Sequence, residues 1–251
     1  MPSPLPVVAL LAGGLATRLG PLTQNVPKSL VKLAGEPFLA HQLRLLVKQG
    51  ICEVVICCGH LGEKIEEFAG DGWHLGCCIR YSYDGDKLLG TGGALRRALP
   101  LLGESFLVMY GDSYLLADPV HAWNAFLADD KPALMTVFKN EGRWDASNVE
   151  MIAGTIVYYG KEKRAPGMQY IDYGLSVLHA DVLARWKGDA AFDLSVVLAS
   201  LASEGKLAAH EVHERFYEIG SPAGLKETEC MLTESQRETS GRLLAVAGRE
   251  K

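Results

Sequence analysis

Gly13 and Gly14, within Leu11-Ala12-Gly13-Gly14-Leu15-Ala16-Thr17-Arg18-Leu19, directly follow the apolar run Val7 to Leu11. Lys28, in Pro27-Lys28-Ser29-Leu30, comes ten residues after Arg18. Paired glycines at the end of a buried strand permit a tight turn and bring backbone N–H groups close to an anion. Thr17 adds a hydroxyl and Arg18 and Lys28 add two cations, so the stretch suits a nucleoside triphosphate. It differs from the commoner phosphate loops, because neither G-x-G-x-x-G nor G-x-x-x-x-G-K-[ST] occurs over residues 13–20. Hydride transfer and ordinary P-loop hydrolysis are thereby disfavoured.

Two more features have the residue types of a triphosphate site. Asp112 ends the apolar run Phe106-Leu107-Val108-Met109-Tyr110 and reads either as a turn residue or as a Mg²⁺ ligand. Magnesium takes one or two carboxylates and completes its octahedron with phosphate oxygens and water. Glu218, in an apolar segment before the turn Gly220-Ser221-Pro222, is the best candidate for a second carboxylate; otherwise it is a half-exposed strand glutamate. Gly90-Thr91-Gly92-Gly93 opens another glycine turn after an apolar run.

These residues act together only if strands deliver them to a common edge. Val7 to Leu11, Glu53 to Cys58, Cys77 to Tyr83 and Phe106 to Tyr110 read as buried strands. Between them lie helices opened by Pro37 and stopped by Gly50, spanning Glu63 to Phe68, and following Gly93 with Ala94, Leu95, Ala98, Leu101 and Leu102 on one face. This alternation predicts an α/β fold, a Rossmann-like, doubly wound, mostly parallel sheet, which binds ligands at the carboxyl ends of its strands. A helix near Pro119 to Leu127 and a strand at Ala133 to Val137 continue the pattern, which then loosens. Asn148 to Ile152 and Thr155 to Tyr159 read as a small inserted β-hairpin, and Tyr170 to Leu178 as a strand. Ala180 to Trp186 and Leu194 to Glu204 read as helices, Leu207 to His213 as a strand, and Pro222 to about Leu232 as the last helix. Residues 1–233 are thus expected to form one domain, with 234–251 a tail or loose helix.

With 251 residues the chain is long enough for a sizeable core. Its net charge of −5, with acidic and basic residues interspersed, leaves no basic face for nucleic acid. Met1-Pro2-Ser3-Pro4 carries no positive charge cluster and the next apolar run is too short to span a bilayer, so a cytoplasmic protein without membrane contact is expected. The six cysteines include vicinal pairs, Cys57-Cys58 and Cys77-Cys78, inside strand-like runs. Neighbours on a strand point to opposite faces, which suits buried thiols better than zinc ligands.

Taken together, Leu11-Ala12-Gly13-Gly14 with Thr17-Arg18-Leu19, Pro27-Lys28-Ser29-Leu30, Leu89-Gly90-Thr91-Gly92-Gly93-Ala94, Gly111-Asp112-Ser113 and Glu218-Ile219-Gly220-Ser221-Pro222 resemble the sugar-1-phosphate nucleotidyltransferases, the NDP-sugar pyrophosphorylase family. Within that family the chain resembles heptose and hexose 1-phosphate guanylyltransferase-like members. The likeness follows the family's order over roughly residues 5–230. It implies a Mg²⁺-dependent enzyme that joins an NTP to a sugar 1-phosphate and releases pyrophosphate. By the same resemblance Leu11, Ala12, Gly13, Gly14, Thr17 and Arg18 hold the nucleotide, and Lys28 binds phosphate near the reacting centre. Asp112 and Glu218 ligate the metal, and Gly92 and Gly93 let the backbone approach the nucleoside. For the acceptor it implies Lys161, with Lys163 as its rival, together with Asp172 and the surroundings of Asn148. Leu15-Ala16 stands where the family usually has x-Gly, and Glu218 where aspartate is commoner. The alternatives are a metal-dependent glycosyltransferase, which usually shows D-x-D where this chain has Asp112-Ser113-Tyr114, and a catalytically silent nucleotide-sugar-binding regulatory protein of the same fold. The sugar, the base and the oligomeric state stay open.

Overall fold

The computed structural model describes residues 5–15, 17–142, 146–160, 167–188 and 190–247, the side chains of Thr17, Arg18, Pro21 and residues 239–247 excepted. Lys161 and Lys163 lie outside the described residues. The first half runs β1 (Val8–Leu11), β2 (Lys32–Leu33), β3 (Glu36–Pro37), α1 (Phe38–Lys48), β4 (Glu53–Cys58), α2 (Gly62–Ala69), β5 (Cys78–Tyr83), α3 (Gly90–Leu102) and β6 (Ser105–Tyr110). The second runs β7 (Ser113–Leu115), α4 (Pro119–Leu127), β8 (Ala133–Lys139), β9 (Val149–Ile152), β10 (Thr155–Tyr159), β11 (Tyr170–His179), α5 (Asp181–Ala184), α6 (Leu194–Ser203), β12 (Leu207–Val212), β13 (Phe216–Glu218) and α7 (Pro222–Ala247).

Strands β1, β4, β5 and β6 pair in parallel, in the order β5-β4-β1-β6. Alternation along each strand divides the core into two layers. Val8, Leu10, Val54, Ile56, Leu107 and Met109 face α1, α2 and α4 through Leu39, Leu43, Ile65 and Trp123. Ala9, Val55, Phe106 and Val108 face α3 and α6 through Leu95, Ala98, Val197 and Leu201. Cys58 belongs to the first layer and Cys57 to the second, as the period of a strand requires.

The expectation of an open, mostly parallel sheet is corrected in the second half. β11 is antiparallel to both β6 and β8, β12 is parallel to β8, and β10 is antiparallel to β12 and β9. β9 then pairs back onto β11 at Tyr170↔Val149, so β11, β8, β12, β10 and β9 close into a small barrel. Parallel neighbours need a crossover, usually helical, whereas β9, β10 and β11 follow one another without an assigned helix among the described residues. The inserted hairpin is β9 and β10, and it forms part of the barrel wall. α5 stops at Ala184, short of the expected Trp186, and α7 runs from Pro222 to Ala247. No helix among the described residues is long and apolar enough to cross a membrane.

Cys52, Cys78 and Cys230 are exposed, whereas Cys57, Cys58 and Cys77 are buried. Burial pushes the thiols of Cys57 and Cys58 up to about 12 and that of Cys77 up to about 11. Titration with a chromogenic aromatic disulfide at pH 8 is therefore expected to count three fast thiols in the native chain and all six after denaturation. A fourth fast thiol would show that a core layer opens.

Candidate active site

The register levels the strand ends. Leu11 lies opposite both Cys57 and Tyr110, and Cys58 opposite Tyr83. The residues that follow, Gly13, Gly59, Asp84 and Gly111-Asp112, therefore emerge on one edge. Ala12 N donates to Cys57 O at 3.0 Å and Gly111 N to Leu11 O at 2.9 Å, extending the ladder into the loops. The Gly13 loop passes very close to the next one, since a Cβ on Gly59 would sit 2.6 Å from Gly13 O and one on Gly13 would sit 2.9 Å from Gly59 N. A side chain at either position would push the loops apart, which is why glycine is needed at both. Lys64 Nζ donates to Asn25 O at 2.7 Å, tying the chain ahead of Lys28 to α2.

Leu11, Ala12, Gly13, Gly14, Lys28 and Asp112 all line a cleft of about 310 Å³ at this edge. Lys28 Nζ donates to Asp112 Oδ2 at 2.9 Å, across 84 residues of chain. Glu218 arrives by a route the sequence hides. β13 pairs antiparallel with β7, placing Glu218 opposite Ser113, and Ile219 N donates to Asp112 O at 2.9 Å. Buried Ile219 packs with Leu33, Phe38 and Leu232, anchoring the pairing under α7. A Cβ on Gly220 would lie 2.7 Å from Glu218 Oε2, 3.4 Å from Asp112 Oδ2 and 3.6 Å from Lys28 Nζ, so the three charged groups surround one small space. Glu218 also accepts from Gly220 N, and from Ser221 Oγ at 2.5 Å.

Among the described residues no group of three or more histidine, cysteine, aspartate or glutamate side chains could hold a metal by itself. Two converging carboxylates are nevertheless the donor set that suits Mg²⁺ when phosphate oxygens and water supply the rest. Asp112 does not cap a helix; its carbonyl takes Ile219 N and its carboxylate faces Lys28.

On the β5 side the cleft meets the start of the glycine turn. Gly90 and Thr91 line the cleft, whereas Gly92 and Gly93 do not. The amides of Gly92 and Gly93 donate to Phe192 O at 3.0 and 3.2 Å, inside the first turn of α3. They seat the segment before α6. That segment also brings Asp193 into the cleft, where its Oδ1 accepts from Thr91 Oγ1 at 3.4 Å. Asp84 lines the same wall, only 7% exposed, and accepts from Leu89 N at 3.1 Å. Burial raises its carboxyl above the usual range, opposed by the Leu89 amide and by Arg97.

A carboxyl raised in the folded state favours folding below its unfolded pKa and loses that contribution as pH rises through the folded value. Asp84→Asn, which keeps an acceptor for Leu89 N, is therefore expected to raise Tm by roughly 1–3 °C at pH 7.5. The gain should fade towards pH 4, and melting curves across that range check it.

The acceptor-side residues gather around a bulge. Between Asp172 and Ser176 the register of β11 against β8 shifts, with Gly174 at φ +96°. Asp172 accepts from Tyr159 Oη and from Gly174 N, each at 2.9 Å, and its own N donates to Asn148 Oδ1 at 2.9 Å. Asn148 and Asp172 are thus brought together and brace the bulge, but neither lines the cleft. Tyr110 links the two regions: it lines the cleft, and burial, then the charges of Asp172, Asp112 and Asp193, push its phenol up. Sequence reasoning gave no role to Tyr110, Asp84 or Asp193, and singled out Thr91 only as part of its glycine turn. Asp84 alone carried a signal, an acid directly after a strand.

Residues 7–145 match the family model described as Nucleotidyl transferase. The chain is 28% identical over 236 residues to mannose-1-phosphate guanyltransferase beta-A of Xenopus laevis, covering 91% of this chain but 65% of that protein's length. It is 29% identical over 232 residues to glucose-1-phosphate cytidylyltransferase of Salmonella typhi, covering 83% and 88%. Its fold is similar to the crystal structure of HddC from Yersinia pseudotuberculosis, with a TM-score of 0.77, 20% identity, and coverage of 91% of this chain and all of that one. The matched span contains the Gly13-Gly14 loop, Lys28 and Asp112, which line one cleft, and the chain belongs to the nucleotidyl transferase family.

Proposed function

We propose that this chain transfers a nucleotidyl group from an NTP to a sugar 1-phosphate, forming an NDP-sugar and pyrophosphate. The observation that carries the reading is the convergence of Lys28, Asp112 and Glu218 around one point beside the Gly13-Gly14 loop. A phosphate monoester is largely dianionic at pH 7, so a sugar-phosphate oxygen attacks the α-phosphorus without a general base. As that bond forms, the bond to the β-phosphate oxygen breaks and pyrophosphate leaves with the electron pair. The protein's task is alignment and charge neutralisation.

In this scheme the Gly13-Gly14 backbone and Arg18 hold the triphosphate, with Leu11, Ala12 and Thr17 shaping the loop, and Lys28 neutralises charge near the α-phosphate. Asp112 and Glu218 would hold Mg²⁺, which when bound screens the phosphate oxygens and favours the leaving pyrophosphate. Gly90 and Thr91 take the place beside the nucleoside that the resemblance gave to Gly92 and Gly93. Lys161 or Lys163 would meet the acceptor's phosphate, with Asn148 and Asp172 shaping that side through the bulge. We assign this activity to a single domain, residues 1–233, with 234–251 as its appended end, working in the cytoplasm on small molecules rather than nucleic acid. A matrix of the common NTPs against hexose and heptose 1-phosphates, with Mg²⁺ and pyrophosphate release as the readout, tests the reading. No release in any combination would reject it.

A further inference from the structure

Among the described residues Tyr110 is the only aromatic one that lines the cleft, and it is half-buried. Its main chain lies in β6 opposite Leu11 of β1, and its carbonyl accepts from Gln42 Nε2 at 2.9 Å, so it meets the cleft through its side chain. Phe106 and Val108 turn to the layer of α3 and α6, and Tyr110, two residues on, continues that face beyond the packed core. The ring stands against the bulge of β11. Leu175 lies opposite Met109, which sets Gly174 beside Tyr110, and a Cβ on Gly174 would lie 3.7 Å from Tyr110 Cδ2. Gly174 N is in turn a donor to Asp172. Tyr110 therefore borders the cleft on one side and the Asp172 bulge on the other, and the charges of Asp172, Asp112 and Asp193 all act on its phenol.

Strand order gives the cleft two ends. The Gly13-Gly14 loop follows β1 in the middle; Asp84, Gly90 and Thr91 follow β5, two strands to one side, whereas Tyr110 ends β6, next to β11 on the other. With a triphosphate over the β1 loop and the nucleoside towards β5, the acceptor is left the β6 and β11 end. An aromatic ring with a few carboxylates around it is the kind of wall that fixes a small polar ligand by shape. We infer that Tyr110 is a specificity-determining residue for the acceptor: the sugar of the sugar 1-phosphate lies against its ring, which limits the bulk of the substituents the sugar carries. This rests on the nucleotidyl-transfer reading of the cleft.

The test compares Tyr110→Phe, Tyr110→Leu and Tyr110→Ala in the full chain, with pyrophosphate release as the readout. For each, kcat/KM is measured with glucose, mannose, heptose and N-acetylglucosamine 1-phosphates, and KM for the NTP at saturating acceptor. Tyr110→Phe keeps the ring and should hold the wild-type ratios among acceptors within about threefold. Tyr110→Leu and Tyr110→Ala should change those ratios by roughly 10- to 100-fold in favour of the bulkier acetamido sugar, with KM for the NTP within about threefold of the wild type. Should the alanine variant fail to fold, the leucine variant, which keeps most of the packing on Gly174, decides. An equal fall for every acceptor would overturn the inference and make the ring structural. A changed KM or preference for the NTP with unchanged acceptor ratios would overturn it by placing the ring beside the nucleoside. A wild type that releases pyrophosphate with no pair of substrates would overturn the nucleotidyl-transfer reading, and this inference with it.

Discussion

Lys28→Ala lowers kcat/KM for NDP-sugar formation by roughly 10²- to 10³-fold and leaves the chain folded. A cation about 4 Å from a phosphate charge, at an effective dielectric near 20, gains about 4 kcal/mol before desolvation. Each 1.4 kcal/mol of transition-state stabilisation is about tenfold in rate, and desolvation removes part of the total. The cost to stability is small. The Lys28 and Asp112 side chains are 19% and 32% exposed, and pairs near the surface contribute about 0–1 kcal/mol. Tm should therefore move by less than about 4 °C. Lys28→Arg keeps the charge but not the point-like ammonium, so it should recover only part of the rate. An alanine variant within tenfold of the wild type would remove Lys28 from the reacting centre.

Asp112→Asn costs about 10³-fold or more in kcat and raises the Mg²⁺ concentration needed for half-maximal rate. The substitution keeps size and backbone, and the contact from Ile219 N to the Asp112 carbonyl does not depend on the side chain. What it removes is the negative charge that would hold the cation and orient Lys28. Glu218→Gln should shift the Mg²⁺ requirement in the same direction. Combining Lys28→Ala with Asp112→Asn should cost less than the product of the single effects, because both groups serve one transition state. Pyrophosphate release across a Mg²⁺ titration measures all of this, and normal turnover in Asp112→Asn would take that residue out of the metal site.

The parallel half of the fold was legible because its signals are local. β4 covers Glu53–Cys58, the same span as its expected strand, and α4 opens on Asp118, whose carboxylate accepts from Val120 N, with Pro119 next in line. Gly13-Gly14, Lys28 and Asp112 were legible for the same reason, since each directly follows a strand or sits in a short motif. The closure of β8 to β12 into a barrel was not. It depends on one pairing, Tyr170 with Val149, and on the reversed direction of β11, neither of which a strand's own hydrophobic pattern encodes.

The same boundary runs through the site. The sequence by itself determined a set of residue types suited to phosphate, the strand ends near which they sit and the family the chain resembles, because glycine turns, cations and apolar strand runs act over a few residues. Glu218 was already named as the second carboxylate, but only the tertiary structure decided how it meets Asp112, through three-residue strands too short to be recognised alone. Only it decided that Gly92 and Gly93 serve Phe192 and that Asp193 reaches Thr91 across 102 residues. Those outcomes depend on which distant segments share a wall once the core layers have packed. That is a property of the packed chain as a whole, set by register and burial rather than by any local run of residues.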